Sequence, residues 1–465
     1  MEKEITLDYA NTISDFVGTE HGIQASDIQA LYPQLSSINN IIKEKKAAGQ
    51  MGFMDLPYQS AVAKNIGKFA LKQKGLFDDF VVIGIGGSAL GNIALQTALN
   101  NPFWNILSSE KRKNWPRLFV PDNVDPELIK SLSEIINFNK TVFNIISKSG
   151  TTAECLANFF YLKNMLIKKV GITNWQKHII ITTDEKKGYL RELADKEGIV
   201  SFVVPANVGG RFSVMSPVGL VSAAFTGLKI EKLLAGCRVM DERCTQDISK
   251  NPAAMYAAIQ YIMYQKGKRI NVMMPYAQSL KDISDWFRQL WAESLGKKTN
   301  IKNETVNIGP TPVKALGVTD QHSQVQLYIE GPYDKIITFL SVENYRAKVV
   351  IPSSKEKHYL EKHTLNELIK SEEIATRVAL TKQNRPNCTI NLPEISEYTI
   401  GQLIYMLELS TAYIGSLFEI DAFDQPGVEL GKVLTYGLMG RSGFEKEKEE
   451  IEEFLEKSKN SQYVV

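Results

Sequence analysis

Cysteine and histidine are scarce in this 465-residue chain, which has four of the first and five of the second. The cysteines, Cys155, Cys237, Cys244 and Cys388, form no CxxC pair and have no histidine at metal-ligand spacing beside them. That argues against a disulfide framework and against a bound metal, and it predicts a reducing, cytoplasmic setting. Long hydrophobic runs are also missing. The most apolar stretch, around Phe80 to Leu99, is broken by four glycines and a serine, so no transmembrane span is expected. The opening residues MEKEITLDYANTISDF carry acids and no apolar run, so they do not read as a signal peptide. Neither sign of charge is in excess: 54 Lys+Arg face 52 Asp+Glu, a net +2. No large field points at nucleic acid or membrane. With 44% apolar and 23% charged residues, disorder and fibrous structure are excluded.

What the chain does have is a βα rhythm. Residues 1–56 read as an N-terminal helical segment, with apolar positions at mixed three and four spacing and no strand alternation. From Phe80 short buried strands alternate with helices: FVVIGIGG, RLFVPDN, TVFNII, HIIITTD and IVSFVVP. A second, less regular cycle begins near Pro252, with RINVMMPY, YDKIITFLSVEN, the run from Arg346 to Pro352 and NCTINLP as strands. Buried strands between helices predict parallel sheets sandwiched by helices. The expected division is a first α/β domain at 57–235, a second at 250–435, and a C-terminal helical tail at 440–465. The tail, FEKEKEEIEEFLEKSKN, reads as a solvated helix with a narrow Ile451, Phe454, Leu455 stripe.

Six stretches carry chemistry. Gly84-Ile85-Gly86-Gly87-Ser88-Ala89-Leu90-Gly91 follows a strand and opens a helix, where glycines let backbone N–H groups approach an anion. The run fits GxGxxA, so a nicotinamide cofactor is one reading, although the nearest candidate for the acid at the end of the next strand, Asp122, lies beyond the usual spacing. Ser147-Lys148-Ser149-Gly150-Thr151-Thr152 also joins a strand to a helix. Its hydroxyls, its lysine and the helix start form a phosphate cradle richer than an N-cap requires. Val208-Gly209-Gly210-Arg211-Phe212-Ser213 holds an arginine close to backbone, suited to a ligand or to an ordinary surface pair. On the helix from Ser279 to Lys298, Gln289 and Glu293 border an apolar stripe. A carboxylate there is partly desolvated, as a general base requires, but spacing alone favours an exposed Glu293 paired with Lys297 at i+4. His322 lies in an uncharged polar run, whereas His358 and His363 sit among Lys and Glu. Lys432 closes FDQPGVELGK with mostly apolar neighbours, a setting for a shifted lysine or simply a solvated one.

Taken in order, these stretches resemble the glucose-6-phosphate isomerase (phosphoglucose isomerase) family in its compact bacterial form. The resemblance spans about Phe80 to Lys432. NVGGRFS (207–213) and the segment from Gly415 to Lys432 match its two signatures, and SKSGTTAE (147–154) is similar to its phosphate loop. The resemblance implies two flavodoxin-like sugar-isomerase (SIS) domains in a homodimer with shared active sites. It implies reversible conversion of glucose 6-phosphate and fructose 6-phosphate without cofactor or metal. Glu293 becomes the base between carbons 1 and 2, and Lys432 and His322 assist ring opening, the histidine coming from the partner subunit. Arg211 steadies an enediolate, and Gly87, Ser88, Ser147, Lys148, Ser149, Thr152, Gln289 and Gln425 surround phosphate and sugar. The dehydrogenase reading and a non-catalytic sugar-phosphate sensor remain as alternatives.

Overall fold

A computed structural model describes residues 4–355 and 357–459. Twelve strands are present among them: β1 (Thr6–Asp8), β2 (Asp79–Ile83), β3 (Arg117–Phe119), β4 (Thr141–Ser147), β5 (Ile179–Thr183), β6 (Val200–Val203), β7 (Ile270–Pro275), β8 (Lys297–Thr299), β9 (Thr305–Ile308), β10 (Thr311–Lys314), β11 (Lys335–Asn344) and β12 (Asn387–Glu394). The first sheet is all parallel in the order β3-β2-β4-β5-β6. Its central strands β2, β4 and β5 are buried along their whole length, as expected of β-branched runs covered on both faces. The second sheet has the order β1-β12-β11-β7-β10, parallel except for β1. In both sheets the first strand of the unit is internal and its successor in the sheet lies on the opposite side from the third. Chain connections therefore diverge beyond the carboxyl ends of β2 and β4, the crevice where open α/β sheets hold ligands.

The two halves share one core. It contains Phe80 and Val82 of the first sheet, Leu340 and Ile390 of the second, and the helices between. The helix Glu397–Leu417 is buried almost throughout and packs on Ile230–Cys244 and Pro252–Gln265. A Cβ at Gly236 would stand 2.0 Å from the Tyr398 carbonyl oxygen, and one at Gly401 2.1 Å from that of Leu233. Glycine at both crossings lets these helices touch backbone to backbone. The helix Lys281–Leu295 packs on Leu90–Leu99, with Thr97 donating to Asp282 at 2.6 Å. It thereby spans the junction of the two units.

Several expectations need correction. The N-terminal segment is not purely helical, because β1 pairs antiparallel with β12. An edge strand supplied a partner that local patterning could not reveal. Arg346 to Pro352 is no strand and makes only an isolated bridge, Val350 to Thr364. The β8–β9 hairpin and β10 went unforeseen. The four cysteines are buried and unpaired, and no described helix is long and apolar enough to cross a membrane.

One buried group makes the stability of this core depend on pH. Glu408, on Glu397–Leu417, is 1% exposed, and its Oε1 has no hydrogen-bond partner among the described residues. Burial pushes its carboxyl well above the ordinary range. The folded chain therefore keeps a proton that the unfolded chain releases above about pH 4.3, and stability falls as pH rises from there toward the folded value. Glu408→Gln keeps the shape without an ionisable proton. Urea unfolding is expected to show it more stable than the parent by ~1–3 kcal/mol at pH 8, with a smaller gap at pH 5. A gap independent of pH would refute the neutral carboxyl.

Candidate active site

The turn after β2 and the turn containing Arg211 close on each other. Gly86 adopts φ +54°, and a Cβ on Gly87 would stand 2.3 Å from the Gly210 carbonyl oxygen and 2.8 Å from the Arg211 nitrogen. Glycine is required because another stretch of backbone occupies that space. The Gly84 run is thus used to pack protein on protein, and nothing in it favours a bound dinucleotide. Ser88 closes this turn, its N–H donating to the Ile85 carbonyl at 3.0 Å.

Arg211, 2% exposed, is the hub. Its Nε donates to Ser294 Oγ at 2.6 Å, and its Nη1 to Glu293 Oε2 at 3.2 Å and Gln425 Oε1 at 2.9 Å. Its Nη2 donates to the carbonyls of Ala422 at 2.6 Å and Asp424 at 3.0 Å. Burial pulls the guanidinium below its ordinary pKa, opposed by the charges of Glu293, Asp424 and Asp421. A fully used guanidinium fork fixes geometry in a way that an ammonium cannot. Glu293 is a third exposed at its side chain, so the carboxylate is held from one side and open on the other. Gln289 Nε2 donates to Glu293 Oε1 at 3.4 Å, and Gln289 Oε1 is buried without a partner among the described residues.

At the carboxyl end of the adjacent β4 three hydroxyls converge. Ser147 Oγ lies 2.8 Å from Thr152 Oγ1 and 3.5 Å from Ser149 Oγ. Thr152 precedes the helix Ala153–Val170 without using its side chain as a cap, which leaves the helix N–H groups free for an anion. Lys148 is not a free point charge above this cradle. Its Nζ donates to the carbonyls of Ala206 at 2.7 Å and Val208 at 2.9 Å, tying the loop to the Arg211 turn, and burial lowers its pKa.

Two predicted residues stand outside the network. His322 ends the turn Thr319–His322 after β10, exposed and with no hydrogen bond from its ring among the described residues. Its neighbour Gln321 is held instead by Tyr276 and Glu372, both at 2.8 Å. Lys432 is exposed rather than lodged among apolar groups, and pairs with Glu429 at 2.7 Å; exposure of most of the helix Glu429–Leu438 explains this. The i+4 pairing of Glu293 with Lys297 is likewise absent. The Lys297 Nζ reaches the Glu293 main-chain carbonyl at 3.0 Å and the Asp424 carboxylate at 2.8 Å. Sequence reasoning missed Ser294, Lys297 and Asp424. All three lie inside or beside the quoted motifs, but only the fold says what they bind.

The parts assembled here are a half-open carboxylate, a buried guanidinium and a cluster of hydroxyls beside a helix N-terminus, at a sheet crevice. These are the groups that an isomerase acting on a phosphorylated small molecule calls for. The family model of phosphoglucose isomerase matches residues 63–452. The chain is 49% identical over 454 residues to glucose-6-phosphate isomerase of Carboxydothermus hydrogenoformans, covering 96% of this chain and 97% of that one. It is 40% identical to that of Rubrobacter xylanophilus, covering 95% and 99%. A solved structure of a hypothetical protein from Thermus thermophilus superposes with TM-score 0.83 at 35% identity, covering 94% and 100%. A glucose-6-phosphate isomerase from Chlamydia trachomatis shares the fold with TM-score 0.80 at 22% identity, covering 97% and 91%. The chain belongs to the phosphoglucose isomerase family.

Proposed function

We propose that this chain is the aldose–ketose isomerase that interconverts glucose 6-phosphate and fructose 6-phosphate in the cytoplasm, as a step of glycolysis and gluconeogenesis. The observation that carries the reading is the Arg211 hub, which holds Glu293 and Gln425 beside the Gly86–Ser88 turn. Ser147, Ser149 and Thr152 with the helix start take the phosphate, and that binding energy aligns the reacting carbons. Glu293 removes the proton from carbon 2 of the opened aldose and returns it to carbon 1. Arg211 Nη1, already within 3.2 Å of that carboxylate, offsets the negative charge of the enediolate. Gln289, whose Nε2 donates to Glu293 Oε1 at 3.4 Å, keeps that carboxylate oriented toward the sugar.

Within one chain the ring of His322 is exposed and makes no hydrogen bond among the described residues, and Lys432 faces solvent. This supports a homodimer in which a second copy brings His322 to the site. The C-terminal helices Glu429–Leu438 and Glu445–Lys459 pack on each other and leave Leu430, Leu438, Met439 and Phe454 exposed, as an arm awaiting a partner would.

Among the described residues no three His, Cys, Asp or Glu side chains come together to hold a metal ion. A coupled assay with fructose 6-phosphate is therefore expected to run equally fast with and without EDTA. Activity lost to the chelator and restored by a divalent cation would overturn the proposed charge balance at Arg211.

A further inference from the structure

The Lys297 ammonium is 5% exposed at its side chain. It has three N–H donors and three acceptors: the Glu293 carbonyl at 3.0 Å, the Asp424 carbonyl at 2.5 Å and Asp424 Oδ1 at 2.8 Å. The first acceptor is a terminal carbonyl of the helix Lys281–Leu295, where a cation is favoured by the helix dipole. The second is a carbonyl that also receives Arg211 Nη2 at 3.0 Å, so one peptide oxygen lies between two buried cations. The peptide of Asp424 leads directly into Gln425, whose Oε1 takes Arg211 Nη1. Four residues further on begins the helix that carries Lys432.

We infer that Lys297 is a positioning residue: it locks the backbone of the base Glu293 to the Asp424–Gln425 strap, so that base, arginine and strap move as one body. This rests on the assignment of Glu293 as the base. Arg211 reaches this helix only through the side chains of Glu293 and Ser294 and bonds none of its main-chain carbonyls. Lys297 fixes the main chain from which the Glu293 side chain projects. The phosphate cradle at Ser147 and Thr152 is built on β4 and the helix after it, and makes no bond to Lys297. Loss of the lock is therefore expected to disturb proton transfer rather than phosphate binding.

Lys297→Met retains the length and packing of the side chain. A displaced base of the order of 1 Å costs about 100-fold, so kcat is expected to fall roughly 10- to 100-fold, with KM for fructose 6-phosphate changed less than about threefold. The deuterium isotope effect on glucose 6-phosphate labelled at carbon 2 should rise, because proton transfer then limits turnover. Partial misfolding would lower the active fraction without moving that isotope effect. Asp424→Ala serves as a second variant. Its carboxylate is half exposed, and without it the Lys297 ammonium keeps two main-chain acceptors, the carbonyls of Glu293 and residue 424. This variant is expected to give a smaller loss of the same kind, with the double variant little worse than Lys297→Met alone. Wild-type kcat in both soluble variants, or a reduced kcat with an unchanged isotope effect, would overturn the inference. Should Lys297→Met not fold, Asp424→Ala decides by the same two readings. Glu293→Gln assayed in parallel separates the two claims. If it stays active, the base assignment fails. If it is inactive while both lock variants behave as wild type, only the inference about Lys297 fails.

Discussion

Glu293→Gln is expected to lose isomerisation by ~100-fold or more while remaining folded and able to bind the sugar phosphate. The carboxylate is the only group of the Arg211 network that can both take a proton and give it back. Glutamine preserves the size and an acceptor for Arg211 Nη1, now 3.2 Å from Glu293 Oε2, but has no basic oxygen. The guanidinium does not collapse without its counter-ion. Ser294, Gln425, Ala422 and Asp424 still accept from it. The hydroxyl cluster at Ser147 and Thr152 is held by bonds independent of Glu293, so phosphate recognition survives. Exchange of the carbon 2 deuteron into solvent, followed by NMR, reads the proton abstraction directly. Exchange and turnover within tenfold of the parent would remove Glu293 as the base.

Mixing two inactive chains is expected to restore activity. His322→Ala and Glu293→Gln, each dead alone, combined in equal amounts with free exchange, give about half heterodimers. If His322 acts across the dimer, each heterodimer has one site lacking both groups and one complete site. Activity then returns to roughly a quarter of the wild-type value for independent sites. The expectation follows from the position of His322, exposed beyond β10 and with its ring bonded to nothing among the described residues of its own chain. A mixture that stays inactive after exchange is verified by mass spectrometry would put His322 in its own chain's pocket or outside catalysis.

The parallel sheets were legible because their signals are local. Buried β-branched runs such as TVFNII, ending in SKSG, carry both the strand and the turn chemistry within a few residues. The same holds for the glycines before Ser88, and for the helical tail, found at Glu445–Lys459. The motifs pointed to the family, and it was that resemblance, not spacing, that singled out Arg211, Glu293 and Gln425 one at a time. Periodicity could not show that β1 completes the second sheet, because its partner β12 lies at the far end of the chain. A strand of three residues has too little pattern to declare itself.

Sequence by itself determined which chemical groups are present and in which turns: a carboxylate, an arginine beside glycines, and a run of hydroxyls before a helix. The fold alone decided how they are used. Arg211 meets Glu293 and Gln425 across separations of 82 and 214 residues, distances at which no spacing rule operates. Lys297, one helical turn beyond Glu293, was expected to pair with its carboxylate. That carboxylate turns toward the desolvated guanidinium, and the ammonium fills the gap between the end of the helix and Asp424. Burial decides such choices. A charge removed from water must have every donor matched, and only the packed structure determines which acceptors lie within reach.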